Sequence, residues 1–301
     1  MFRFFFLLFA LFIVLPNAVA QKDDTGNCSA PAAPNVNWSG CDKTKANLAG
    51  ANLNKANLAN VNFVGAILTG AKLADANLKG ATLTGANLSK AVLTMSNLTG
   101  ANLSGAVLKE ANLISANLSQ VNFSDSIISN AILTGALFKD AILIGAHLMG
   151  SNLTEANFVG ANLTKAILTG ATFVGANLSD SKLTETNCTN AIMTGANLTK
   201  AVMIKTNLTG ATLTGATLVG ANMIGANLYE VNFSEANLSG ANLTGAWNNY
   251  RVNMSNANLS GANLTGSTLH ALGGNMNGVT VSVATTWVSG KKCSGSSISS
   301  C

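Results

Sequence analysis

The sequence predicts an all-β solenoid, a chain that coils on itself and turns after every five residues. Three observations predict this fold. A five-residue unit with a small residue first and, in most units, Leu or Phe third recurs in register from Val36 to Gly245. The chain is 48 % hydrophobic but only 6 % aromatic, which is too little bulk for an ordinary globular core. All three prolines, Pro16, Pro31 and Pro34, precede the first unit, so the repeats lose no backbone donor.

The first element in the chain is a predicted signal peptide, residues 1–20. One cation, Arg3, precedes the apolar run from Phe4 to Leu15, and the sequence AVA fits a small-x-small rule with cleavage after Ala20. The run is shorter than a membrane span, so a signal peptide is favoured over a retained N-terminal anchor. No second apolar run of membrane length follows. We therefore expect a secreted or periplasmic protein with no membrane span after cleavage.

The repeat region follows, over residues 36–270. The 210 residues from Val36 to Gly245 divide into 42 units, the segment AWNNYR at 246–251 is one residue too long, and four more units follow. On an α-helix, each five-residue step would turn the third residue by about 140°, leaving no apolar stripe. On a straight strand, successive third residues would alternate between faces. A chain that turns at every unit can point the first and third residues to one axis, and stacked coils can pair their backbones.

Short segments at the two ends, 21–35 and 271–301, are predicted to cap the solenoid. A coil of this kind exposes an unpaired strand edge at each end unless something covers it. Trp287 is expected to cover the apolar core at the C-terminal end. The alternative for the tail is a contact with another chain. Uncovered edges would also allow two rods to associate end to end.

The units ANLTG, ANLSG, ATLTG and VNFSE resemble the A-(N/D)-L-x-x motif of pentapeptide-repeat proteins. The resemblance implies a right-handed quadrilateral parallel β-helix with four five-residue units per coil. The 46 units would then form eleven to twelve coils, a rod of about 50 to 55 Å at strand spacing.

The five cysteines divide by location. Cys28 and Cys41 flank the start of the coil, whereas Cys293 and Cys301 lie in the tail. In an exported protein the economical pairing is Cys28 with Cys41 and Cys293 with Cys301, although four cysteines allow three pairings. Folding the sequence four units at a time puts Cys188 in an inward column otherwise filled by Leu and Ile. We interpret it as a free thiol in the core, and not as a reactive or metal-binding one.

Few residues suit catalysis or metal binding. There are two histidines, no Cys/His spacing suits zinc, no nucleophile has an identifiable base, and no glycine-rich phosphate loop follows a strand. We predict no enzymatic activity, no metal and no cofactor. The net charge of +5 comes from scattered lysines and acids without a cationic block, so no nucleic-acid partner is expected.

One outward column contains a threonine ladder. Its threonines are Thr94, Thr134, Thr154, Thr194 and Thr214. Such a column is like the flat threonine arrays of some ice-binding β-solenoids, although threonine also suits any strand surface.

The function that these features favour is an exported, non-enzymatic scaffold. Its flat faces would contact a protein or cell-envelope partner. The alternative that the family resemblance suggests is a nucleic-acid-mimicking or topoisomerase-interacting module. That activity depends on strongly acidic surfaces and a cytoplasmic target, whereas this chain is basic and carries an export signal. Ice binding through the threonine ladder is a minor alternative.

Overall fold

The computed structural model describes residues 26–247, 251–269 and 274–301. The predicted signal peptide, residues 1–20, lies outside the described residues. Within these ranges there is no α-helix, and the backbone pairs through single bridging residues instead of longer strands. The one helical element in the described part of the chain is a short 3₁₀ turn, Ile298–Ser300.

Parallel bridges join residues that are twenty positions apart, so four units make one coil. The bridging residues form four rows, one for each face of the rod, and we name the faces by these rows. Face A begins at Asn37, face B at Asp42, face C at Asn47 and face D at Asn52; each row continues at every twentieth residue as far as Trp247.

Each unit ends in a turn, and the unit 161–165 is an example. The Ala166 N–H donates to the Leu163 carbonyl (3.0 Å), and Lys165, the residue before Ala166, has φ 60°. A positive φ at the second central residue is what a type II turn requires, and glycine adopts it without strain. Glycine accordingly fills many of these fifth positions, and Asn, Asp, Lys or Glu fill most of the others.

Hydrogen bonds between coils satisfy the remaining backbone groups. In the same unit, Asn162 N–H donates to the Ala141 carbonyl of the preceding coil (2.8 Å). Leu163 N–H donates to the Lys182 carbonyl of the following coil (2.7 Å). Because every unit repeats this pattern, the coil needs no long strands to pair its backbone.

The core consists of the first and third residues of the units. Ala161 and Leu163 are fully buried, as are the equivalent residues through most of the rod. Where Ser or Thr replaces the first Ala between Ser96 and Thr206, its hydroxyl bonds to a backbone carbonyl; Ser96 Oγ, for example, donates to Leu93 O (2.7 Å). These buried hydroxyls are therefore satisfied within the core, whereas the buried Ser267 Oγ has no hydrogen-bond partner among the described residues.

The register changes at the segment that is one residue too long. Asn227 and Trp247 are twenty residues apart and bridge, whereas Asn232 pairs with Asn253, twenty-one residues on. The coil then continues into the segment expected to be only a cap: Asn275, Thr280 and Thr286 still form parallel bridges to the preceding coil.

The N-terminal end is closed on face A. Gly26 N–H donates to the Ser39 carbonyl (2.8 Å), and Trp38, which is buried, donates through Nε1 to the Ala30 carbonyl (3.1 Å). The Lys43 ammonium lies 3.9 Å from the centre of the Trp38 ring. The Trp38 indole therefore fills the inward position of the third residue in the first unit of the rod.

The C-terminal end closes when the chain reverses. Thr286 pairs in antiparallel fashion with Lys292, and this pairing brings Trp287 and Cys293 onto the end of the core, where both are buried. Trp287 thus lies at the position expected for it.

Four of the cysteines lie in pairs at disulfide distance, one pair near each end. The Sγ atoms of Cys28 and Cys41 are 1.98 Å apart, and those of Cys293 and Cys301 are 1.96 Å apart. Each pair therefore joins two segments of the chain that lie close to one end of the rod.

Candidate interaction surface

The second and fourth residues of each unit form the flat part of each face. In the unit 161–165, the Asn162 Oδ1 accepts the Thr164 N–H (3.1 Å) and the Thr164 hydroxyl (2.6 Å). This local motif explains why Asn-x-Ser/Thr recurs along the chain. Amides also bond between coils, as where Asn77 Nδ2 donates to Asn57 Oδ1 (3.2 Å). Much of the polar surface is thus committed to bonds within the rod.

Face D carries the predicted threonine ladder. All five of its threonines are fourth residues of their units and are half-buried. Ile114 and Val174 interrupt the column and are each 37 % exposed. From Val92 to Thr214, neither the bridging column nor the ladder column of face D contains a charged residue. The face is therefore a strip of threonine, asparagine and aliphatic residues.

Cys188 lies in the core, in the inward column expected for it. It is free and fully buried, and desolvation raises the pKa of its thiol to about 12. A thiol that stays protonated at neutral pH is a poor nucleophile and a poor metal ligand.

Charged side chains lie mainly at the corners, on the fifth residues of the units. Among the described residues, two exposed ion pairs join successive coils: Lys90 to Glu110 at 3.7 Å and Lys165 to Glu185 at 3.8 Å. Exposed pairs of this kind add little stability. Over the described ranges, no three His, Cys, Asp or Glu side chains are grouped so that they could hold a metal ion. No helix in the same ranges is long and apolar enough to cross a membrane.

One cleft departs from the regular surface. It has a volume of about 460 Å³ on face C and is lined by Lys205, Asn207, Gly225, Asn227 and Trp247. Trp247 occupies a bridging position that holds asparagine in the three preceding coils of this face, and it is 43 % exposed. Sequence reasoning noted the irregular segment here but not the cleft. The sequence did contain a signal for the cleft, because Trp247 stands at a position that is asparagine in the three preceding units of the same row.

A family model described as "Pentapeptide repeats" matches the chain in eight copies. The matched residues are 46–85, 86–125, 131–170, 171–210, 206–245 and 250–271. Among curated proteins, no match to this sequence is found.

Several solved structures are similar. HetL, a pentapeptide repeat protein involved in heterocyst differentiation regulation in the cyanobacterium Nostoc sp. strain PCC 7120, is 29% identical over 73% of this chain and 91% of its own, with a TM-score of 0.38. QnrB1, a plasmid-mediated fluoroquinolone resistance protein, is 21% identical over 66% of this chain and 91% of its own, with a TM-score of 0.37. A pentapeptide repeat protein of the Arabidopsis thaliana thylakoid lumen is 31% identical over 40% of this chain and 69% of its own, with a TM-score of 0.14.

Proposed function

The chain belongs to the pentapeptide-repeat family, and from that premise we propose that it is an exported, non-enzymatic scaffold that presents a flat face to a protein or cell-envelope partner. The rod in this proposal has eleven to twelve right-handed coils, as the family fold implies. The observation that carries the proposal is face D, whose two surface columns are uncharged from Val92 to Thr214.

The chemistry of face D favours a broad, uncharged partner surface. Its exposed aliphatic side chains include Ile114, Ile132 and Ile192, at 37 %, 40 % and 42 % exposure. Burying such groups against a partner is favourable by about 25 cal/mol per Å² of apolar area. The absence of charge in these columns means that docking desolvates no ion there.

Export is supported by two features. The N-terminal sequence has the pattern of a signal peptide, and the two cysteine pairs at disulfide distance suit an oxidising compartment. If the signal is removed as proposed, the mature protein begins at Gln21. Sequencing the N-terminus of protein from the extracytoplasmic fraction tests this part, and an intact Met1 there would contradict it.

Site-specific photo-crosslinking tests the docking face. A photoreactive amino acid replaces Thr154 on face D or, as the matched control, Thr164 on face B; both are half-buried fourth residues. We expect a specific cross-linked partner in the native extracytoplasmic fraction from position 154 and none from position 164. Equal cross-linking from both positions, or none from either, would overturn the proposal.

The nucleic-acid-mimicking or topoisomerase-interacting alternative has little support in this chain. Mimicry of a polyanion needs a strongly acidic surface, whereas the net charge is +5 and the pI is about 9.0.

Ice binding is a second candidate function, favoured by one observation on face D. Each of its seven coils from Val92 to Thr214, except that of Ile114, carries at least one threonine in the two surface columns. A flat, uncharged ladder with a regular spacing of about 4.8 Å is suited to an ordered water lattice. Thermal hysteresis measurements on the wild type, Thr154→Lys and Thr164→Lys test it. Activity that only Thr154→Lys removes would support ice binding, and an inactive wild type would exclude it.

A further inference from the structure

The cleft beside Trp247 lies where the asparagine row of face C ends. Asn227 Nδ2 donates to Asn207 Oδ1 (3.0 Å) and to Thr209 Oγ1 (2.9 Å), so both of its amide hydrogens are used. Its Oδ1 accepts the Tyr229 N–H (3.1 Å). In the next coil an asparagine would donate a second bond to that oxygen, as Asn227 does to Asn207, but an indole occupies the position. The Asn227 Oδ1 therefore retains acceptor capacity towards the cleft.

One of the residues that line the cleft, Gly225 at the corner, has no side chain to fill it. Lys205, Gly225 and Gly245 follow one another at the corner between faces B and C. A Cβ atom built on Gly225 would lie 3.6 Å from Lys205 Cγ, so the space over this glycine adjoins the lysine stem. The volume of about 460 Å³ falls within the range of small-molecule sites, roughly 300 to 1,000 Å³.

The cation in the cleft has no carboxylate partner among the described residues. Glu185 precedes Lys205 in the same corner column, but it pairs with Lys165 at 3.8 Å, and no carboxylate oxygen of a described residue lies within 4.0 Å of Lys205 Nζ. Glu230, the acidic residue in the five-residue unit of Asn227, is at the opposite corner of face C. An ammonium group is therefore available to an anionic ligand.

We propose that this cleft binds a saccharide that carries a carboxylate, such as the uronic-acid units of an acidic polysaccharide. The C–H face of a pyranose ring would stack on the exposed indole of Trp247, which offers a large, rigid and apolar surface. The ring carboxylate would pair with Lys205, and a ring hydroxyl would donate to Asn227 Oδ1. This site goes beyond the scaffold proposal and does not depend on face D or on export.

The three groups discriminate between classes of ligand. A simple anion would use Lys205 but would gain nothing from the indole. A neutral saccharide would stack on Trp247 but would leave the ammonium unpaired. Of these three classes, a saccharide ring that bears a carboxylate uses all three groups together, and the preference for it over the other two follows from that combination.

The test titrates the whole mature protein with trigalacturonate, with maltotriose as the neutral probe and acetate as the simple anion. Isothermal calorimetry measures the affinity, and tryptophan fluorescence reports on the indole, since Trp38 and Trp287 are buried. We expect saturable binding of one trigalacturonate per chain, with much weaker binding of maltotriose and acetate.

Three variants locate the site. Trp247→Asn extends the asparagine row of face C by one coil, so it is expected to fold and to abolish binding. Lys205→Gln is expected to weaken trigalacturonate binding about tenfold, as for the loss of one charge-assisted hydrogen bond. Lys200→Gln, at the corner between faces A and B in the same coil, is the matched control, because Lys200 also lies beside a glycine of the following coil, Gly220; it should bind as the wild type does.

Several results would overturn the inference. These are no binding of trigalacturonate, equal binding of maltotriose, equal binding of acetate, or unchanged affinity in folded Trp247→Asn. The circular dichroism spectrum and melting temperature of each variant show whether it is folded, so a loss of binding can be separated from a loss of structure.

Discussion

The rings of Phe138 and Phe158 stack in parallel inside the rod, with centroids 4.3 Å apart and 6° between their planes. The two residues occupy the same inward position in successive coils, twenty residues apart. Phe123 and Phe173 lie at the two ends of this pair, at 6.2 Å from Phe138 and 5.7 Å from Phe158. The middle of the rod therefore has a continuous aromatic cluster in place of leucine.

Replacing Phe158 by leucine tests the contribution of this cluster. Phe63 is the matched control, since it is also fully buried but makes no ring contact with another described residue. We expect Phe158→Leu to lower the free energy of unfolding by about 0.5 to 1.5 kcal/mol more than Phe63→Leu does, because it also removes ring–ring contacts. Chemical denaturation measures both. Equal losses would mean that the stacking adds nothing beyond burial.

The corner glycines test the cost of the turn. Gly100 has φ 68°, and no atom lies within 4 Å of a Cβ built on it, so a substitution there acts through the backbone and not through a clash. A β-branched residue is strained at this φ, whereas asparagine tolerates it. We expect Gly100→Val to lower stability by about 1 to 2 kcal/mol and Gly100→Asn to lower it much less. Similar melting temperatures for the two variants would contradict this account of the turn.

Because the Cys188 thiol is buried, we expect the protein to lose stability at alkaline pH. Burial raises the pKa of its thiol from 9.0 to about 12. Between these values the unfolded chain loses the proton while the folded chain keeps it, so the free energy of unfolding falls as pH rises from about 9 to about 12. The expected slope approaches about 1.4 kcal/mol per pH unit.

Cys188→Leu is the control for this pH effect, because leucine fills most of the same inward column. The other ionisable groups are the same in both proteins, so the difference between their pH profiles isolates the thiol. Parallel profiles from pH 8 to pH 12 would show that the thiol is not protected. In the native wild type, the thiol should also resist alkylation at pH 8 until the protein is unfolded.

The cysteine pairs predict a defined disulfide map. A digest prepared without reduction should contain one peptide that links Cys28 to Cys41 and another that links Cys293 to Cys301. Alkylation of the unfolded, non-reduced protein should modify Cys188 alone. Mass spectrometry reads both results, and a peptide that links Cys28 to Cys293 would disprove the pairing.

The inward pattern could be predicted from the residues alone. In the unit 161–165, a period of five excludes both helix and straight strand, so Ala161 and Leu163 have to meet at a common axis. Both are fully buried. The burial of Cys188 followed from its column in the same way. These inferences succeed because they concern a packing rule that is local and repeated in every unit.

Other features depend on residues that are distant in the sequence. Nothing in the unit 161–165 distinguishes Lys165 from a surface lysine on any strand, yet the turn holds it at φ 60°. The continuation of the coil to Thr286 comes from pairing with Asn263, across twenty-three residues. The cleft forms only because Trp247 follows Asn227 in the next coil, beside Gly225 and Lys205. The periodic sequence by itself thus determined which side chains point inward. Only the stacking of the coils decided which outward side chains become neighbours, because stacking brings together residues that are twenty or more positions apart in the sequence.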